Sequence, residues 1–399
     1  MPGPMEGIRV VELGAWVAGP SAAAILGDWG ADVIKIEPPD GDPFRALIAG
    51  LGGGDAPSPP FELDNRNKRS ISLDLSHQEG RDIAGRLVDD ADVFVTNIRP
   101  AALERAGLDY ETVSARNPGL VYASITGYGL AGADRDRAAY DVGAFWSRAG
   151  VAAALTPEGS DLPYQRGGMG DHMAGLAAAG GVSAALVARA RTGKGQLVST
   201  SLLRIGMYMV GWDVNMALRL GVPTIPMSRR EPPNPLINGY TAGDGMRFWI
   251  LGLQGDRHWP DVIRAVDRPE WLEDERYASL MLRWEHSAEL VAELDAIFAA
   301  KPMAEWAEIF AREDVWWAPV QHAHETLLDP QARAAGGIVE VPSDADPVSM
   351  VATPVDFGGT PWSARSMPPE AGQHTEEVLV ELGYDWDRII ELKDAGVIP

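Results

Sequence analysis

The sequence predicts an α/β fold with an open parallel sheet covered by helices on both faces. Two observations carry this. Short apolar runs alternate with helical stretches from residue 8 to residue 126, the order that gives parallel strands joined by crossover helices. The first strand, helix and strand also fit within about thirty residues, the length of a right-handed βαβ unit.

Residues 8–13 (IRVVEL) read as a buried strand centred on Val10 and Val11. A loop follows over 14–20, and Ser21 is placed to cap a helix running to Gly30. Residues 31–37 (ADVIKIE) form the second strand and 70–75 (SISLDL) the third. A helix over 79–91, a strand over 92–98 (DVFVTNI), a mostly helical stretch over 103–115 and a strand over 120–126 (LVYASIT) continue the alternation. Ligands bind such sheets at the carboxyl ends of the strands. Those ends carry the 14–20 loop, Glu37, Leu75, the turn Asn97-Ile98-Arg99 and Gly127-Tyr128-Gly129.

An Ala- and Gly-rich helix is expected over 171–191, stopped by Gly193 and Gly195, and a second over 202–220. Small residues on the first permit close packing against another helix. Five prolines in 221–240 mark a linker. A smaller segment follows, with a strand at 248–251 and helices near 288–300 and 303–313. A strand at 337–341 and a helix at 375–382 close the chain.

The composition narrows the function. A net charge of −23 repels nucleic acid and anionic membrane, so neither is expected as a partner. Cysteine is absent, which excludes disulfides, thiolate metal sites and thiol catalysis. The N-terminus lacks a basic segment followed by an apolar one, and no uninterrupted apolar run is long enough to span a bilayer. A cytoplasmic protein is the expectation. The histidines form no HxxxH pair, and no metal is expected. The first loop lacks GxGxxG, so no nicotinamide is expected either.

One run stands out: Gly167-Gly168-Met169-Gly170-Asp171, directly before the long helix. As a structural residue Asp171 is expected to cap that helix. The functional reading is compatible with it. A helix N-terminus favours an ionised carboxylate, glycine N–H groups can stabilise an oxyanion, and an ionised carboxylate can be a nucleophile. Positive charge gathers in the first third at Lys35, Arg45, Arg66, Lys68, Arg69, Arg99, Arg105, Arg135 and Arg137. A phosphate-bearing ligand is drawn to such a set where it meets strand ends.

These residues add up to a resemblance. GIRVVELGAWVAGPSAAAILGDWGADVIKIE, NRNKRSISLDL, ADVFVTNIRPAALERAGLDY, GMGDHMAG and the C-terminal GQHTEEVLVELGYDWDRIIEL resemble the family III CoA-transferases, the formyl-CoA and carnitine CoA-transferase group. The likeness runs in order over essentially the whole chain. It implies a large Rossmann-like domain (1–222, completed by 328–399) and a smaller α+β domain (223–327). It also implies two ring-like chains threaded into an interlocked homodimer. Coenzyme A would enter as a substrate, with an acyl-CoA and a carboxylic acid as partners and Asp171 as the nucleophile. By position the CoA site would include Val17, Ala18, Leu73, Leu75, Asn97, Ile98, Arg99, Arg105, Arg137, Ala138 and Tyr140.

The chain departs from that pattern in places. A formyl-CoA transferase has glutamine where this chain has Val17 and arginine where it has Pro38. Its small-domain glycine run is replaced here by SRREPPNPLIN. A bulkier, more apolar acyl group is therefore expected. The α-methylacyl-CoA racemases share the superfamily and carry a His-Asp pair where this chain has Tyr140-Asp141. The missing histidine removes one of two acid/base groups and favours transfer over racemisation. A non-catalytic CoA-binding protein is the remaining alternative.

Overall fold

A computed structural model describes residues 3–54, 56–223 and 226–399. The chain divides into two compact units. Met1–Ala152, Tyr164–Pro223 and Gly336–Pro399 form the first; Ala153–Pro163 and Thr224–Ala335 form the second.

The first unit is built on six strands: β1 (Arg9–Leu13), β2 (Asp32–Glu37), β3 (Lys68–Ser72), β4 (Val93–Thr96), β5 (Val121–Thr126) and β6 (Gln196–Ser201). They lie in the order β3-β2-β1-β4-β5-β6, all parallel. Val10 of β1 pairs with Val33 and with Val93. Val10 packs into the core on one face of the sheet and Val11 into the core on the other, and both are fully buried. This two-sided burial is why the strands read as unbroken apolar runs.

On one face, α1 (Ala18–Asp28) packs against the long helix α7 (Met169–Thr192). Small residues allow the approach: a Cβ on Gly175 would lie 2.1 Å from the Ser21 hydroxyl. The sheet's other face is covered by α3 (Gln78–Asp89), α5 (Tyr110–Arg116), α16 (Thr375–Glu381) and α17 (Trp386–Asp394). Between these in chain order lie α2 (Pro59–Asn65), α4 (Pro100–Ala106), α6 (Val151–Ala154), α8 (Leu202–Met209) and α9 (Gly211–Leu220). The C-terminal segment is tied to β3, where the Ser72 N–H donates to the Thr375 hydroxyl at 3.1 Å.

The second unit has a three-stranded antiparallel sheet of β7 (Ile237–Thr241), β8 (Arg247–Leu251) and β9 (Trp317–Pro319). Helices α10 (Gly255–Val266), α11 (Leu280–Glu285), α12 (Ser287–Phe298) and α13 (Met303–Glu313) complete it. Its core is aromatic, with Tyr240, Phe248, Phe298, Trp306 and Phe310 packed together. The short helices α14 (Ala323–Thr326) and α15 (Pro330–Ala334) follow it, and the hairpin β10 (Ile338–Val341)–β11 (Val348–Val351) belongs to the first unit.

Several expectations are corrected. Helix α1 begins at Ala18, not after Ser21, because Pro20 is tolerated in a first turn. The Ser21 hydroxyl donates back to the Ala18 carbonyl instead of capping. The third strand is Lys68–Ser72, earlier than 70–75. The stretches 103–115 and 202–220 are each broken into two helices, the first at Gly107 in a left-handed conformation. Strand β6 was missed. Helix α7 is long and apolar enough to cross a membrane by composition, contrary to the sequence reading. Its Ala174, Gly175 and Ala178 are buried as it packs on α1 and the sheet.

Candidate active site

Gly168 caps α7 with φ +78°, a left-handed conformation that suits glycine. Asp171 is thus the third residue of the helix and not its cap. The capping carboxylate comes from Asp141, whose Oδ2 accepts the Gly170 N–H at 3.0 Å. Gly170 must be glycine for this: a Cβ would lie 2.2 Å from Asp141 Oδ1 and 2.3 Å from the Phe145 ring. The Gly170 N–H is therefore committed to Asp141 and is not free to meet an oxyanion.

The surroundings of Asp171 oppose the ionised state that the helix N-terminus alone would favour. Burial, then repulsion from Asp141 with a smaller push from Asp64, outweighs the attraction of His172 and raises its pKa to about 7. His172 Nε2 lies 3.1 Å from Asp64 Oδ1. Burial lowers the His172 pKa, but Asp64 and Asp171 more than reverse this and hold it above the ordinary value. Asp64 is pushed up by its own burial.

The candidate residues line two adjoining clefts at the carboxyl ends of β1 and β4, where the strand order reverses. The first, of about 410 Å³, is lined by Val17, Ala18, Asn97, Ile98, Arg99, Arg137, Ala138, Tyr140 and Asp171, with Trp16 and Asp141. The second, of about 610 Å³, is lined by Leu73, Leu75, Ile98 and Arg105. Ala15, Ile98 and Ala102 border both. Asn97 ties the two strand ends together. Its Oδ1 accepts the Ala15 N–H at 3.0 Å, and its Nδ2 donates to the Ala15 carbonyl at 2.8 Å.

Most of the positive charge singled out in the sequence is already paired. Lys35 bonds Glu12 at 2.8 Å and Asp42 at 2.9 Å, and Lys68 bonds Glu12 at 2.6 Å, all out of solvent. Arg66 holds Asp28, Arg45 holds Glu37, Arg69 holds Asp32, and Arg135 holds Glu104. Arg137 keeps a loose 3.6 Å contact with Asp134. Among the described residues Arg99 and Arg105 have no acidic partner. Each lines one of the two clefts, and Arg81, which bonds only the Leu75 and Ser76 carbonyls and Gln78, lines the second as well.

Sequence reasoning missed the roles of Trp16, Asp64 and Asp141. Only Asp141 left a signal, as the acid of the Tyr140-Asp141 pair.

The sequence profile of CoA-transferase family III matches residues 5–375. The chain belongs to CoA-transferase family III. This family III enzyme is 35% identical to the (R)-2-hydroxy-4-methylpentanoate CoA-transferase of Clostridioides difficile, over 99% of both chains. It is 33% identical to the cinnamoyl-CoA:phenyllactate CoA-transferase of Clostridium sporogenes, covering 98% of this chain and 97% of that one. Among solved structures it resembles a CaiB/BaiF family protein from Brucella suis. That match has a TM-score of 0.85 and 30% identity, and covers 96% of this chain and 100% of the other. CoA-transferase activity, with CoA thioesters as substrates, goes with that membership.

Proposed function

We propose that this CoA-transferase moves CoA from an acyl-CoA to a carboxylic acid through covalent intermediates on Asp171. The observation that carries the reading is the placement of the Asp171 carboxylate at the glycine-framed start of α7, in a cleft that Arg99 also lines. An Asp171 oxygen attacks the thioester carbonyl, the C–S bond breaks, and CoA leaves as thiolate with the electron pair. The product is a mixed anhydride. The thiolate then attacks the aspartyl carbonyl carbon and expels the donor carboxylate, leaving an aspartyl-CoA thioester. The acceptor carboxylate runs the two steps in reverse, so thioester energy is conserved without ATP or metal.

The nucleophile must be ionised to attack. With a pKa of about 7 in the free site, kcat/KM should fall on the acid side of pH 7. Asp141→Asn keeps an oxygen for the Gly170 N–H and removes the repelling charge. The acid limb should then move to lower pH; an unmoved limb would mean that Asp171 does not feel Asp141.

The CoA phosphates meet Arg99, Arg105 and Arg137 in this reading, with Leu73, Leu75, Val17, Ala18, Asn97, Ile98, Ala138 and Tyr140 lining the rest of the path. Replacing one true phosphate contact by Ala should weaken CoA binding by about 1–3 kcal/mol and reduce its salt dependence. Calorimetric CoA affinity unchanged in all three variants would remove the assignment.

The working form is an interlocked homodimer in the cytoplasm, each subunit with a large and a small domain. Light scattering at micromolar concentration should find a dimer; a stable, active monomer would contradict it. The acids named for the two relatives, 2-hydroxy-4-methylpentanoate and phenyllactate, support an apolar acyl group. The racemase alternative draws on the facing Asp141 and Asp171, yet Tyr140 occupies the histidine position. Deuterium wash-in at the α-carbon without acceptor acid would mark it. Tight CoA binding with no turnover across many acid pairs would mark a binding protein.

A further inference from the structure

Trp16 has φ +65°, a left-handed conformation that bulky residues avoid. Three hydrogen bonds hold the turn there. The Trp16 N–H donates to Asp42 Oδ1 at 3.2 Å, and Asn97 grips Ala15 at both its N–H and its carbonyl. Asp42 is itself fixed by the buried Lys35. Strain maintained this firmly at a cleft is a pointer to function.

The consequence is an aromatic wall. The indole lies on the cleft that holds Asp171, with Phe44 packed behind it at 5.9 Å and Phe61 behind Phe44. Tyr140 meets it edge-on at 6.1 Å and 85°. Trp16 is 37% exposed and Tyr140 69% exposed, so neither ring's apolar surface is fully covered. The wall lines the same cleft as Asp171, and its chain neighbours touch the start of α7. Val17, the next residue, lies 3.6 Å from where a Gly168 Cβ would sit, and Asp141, next to Tyr140, holds the Gly170 N–H.

Resting on the reading that the thioester carbonyl meets Asp171, we propose that Trp16 and Tyr140 select the acyl group, and that this group carries an aromatic ring. A ring entering the cleft can pack edge-to-face or offset against the indole, gaining contact energy that a short alkyl chain lacks. The pre-set turn means that little ordering of the wall is needed on binding.

The test compares 3-phenylpropanoyl-CoA with propanoyl-CoA by titration calorimetry on the intact enzyme, alongside transfer assays with the matching acids. The wild type should bind the aryl thioester about tenfold tighter or more. Trp16→Gly relieves the strained φ and so keeps the loop foldable; it should collapse the preference to about threefold or less, while Trp16→Phe should retain most of it. A wild-type ratio near one, or a ratio unchanged in Trp16→Gly, would overturn the proposal. Transfer with Asp171 labelled but a ratio near one would sustain the transfer mechanism and overturn the wall. A Trp16-dependent ratio without any transfer would do the reverse.

Discussion

Asp171→Ala is expected to abolish CoA transfer, by on the order of 10³-fold or more, because the group that would form both covalent intermediates is gone. Asp171→Asn should be nearly as inactive, since a neutral amide is a poor nucleophile. Neither change should unfold the protein. Asp171 is the third residue of α7 and Asp141 supplies the cap, so no cap is lost. The asparagine variant should in fact be more stable above neutral pH. The folded pKa of Asp171, about 7, lies above its ordinary 3.8. Between those values the folded state holds a proton that the unfolded state lacks. The stability this contributes is fully present below about pH 4 and is lost as pH rises through 7. An amide escapes that loss. Melting curves from pH 5 to pH 9, set beside transfer assays, check both halves. A folded Asp171→Ala enzyme with near-normal transfer would refute the role.

Glu12→Ala should produce the largest loss of stability. Its carboxylate is fully buried and bonds Lys35 through one oxygen and Lys68 through the other. Removing it leaves Lys68 without its ion-pair partner and Lys35 with Asp42 alone, both out of water, at a cost of about 3–5 kcal/mol. The two lysines would respond differently. Burial pulls Lys35 down, but Glu12 and Asp42 outweigh it and keep its pKa above the ordinary range; Asp42 would remain at 2.9 Å. For Lys68 burial already wins and lowers the pKa to about 8. Without Glu12 it falls further, while the unfolded lysine still titrates near its ordinary value. Unfolded chains then bind a proton that folded ones do not, so the penalty eases as pH rises. Denaturant unfolding at pH 6 and pH 9 should show the greater loss at pH 6. A loss under about 1 kcal/mol at both would mean that the pairs are not felt.

The sheet was legible because its central strands are buried on both faces and appear as apolar runs, as in Val10-Val11 and Phe94-Val95. Strand β6 was not, for the matching reason. It lies at the edge of the sheet, its residues are mostly half-buried or exposed, and QLVSTS carries no such run. The carboxylate at the start of α7 was legible from its glycines. Its state was not, because Asp64 and Asp141 come from α2 and from the loop after β5. Charge is visible in a sequence, but pairing across a sheet is not. Lys35 and Lys68 read like ligand contacts until the fold brings Glu12 between them. Trp16 gave no signal, because left-handed backbone is expected at glycine and here falls on tryptophan.

The most direct test is to trap the intermediate. Wild-type enzyme incubated with an acyl-CoA and hydroxylamine, then digested and analysed by mass spectrometry, should carry a hydroxamate at Asp171. Borohydride should reduce the same side chain from its CoA thioester. An enzyme that transfers CoA at its full rate while Asp171 stays unmodified, or is labelled at another carboxylate, would contradict the mechanism.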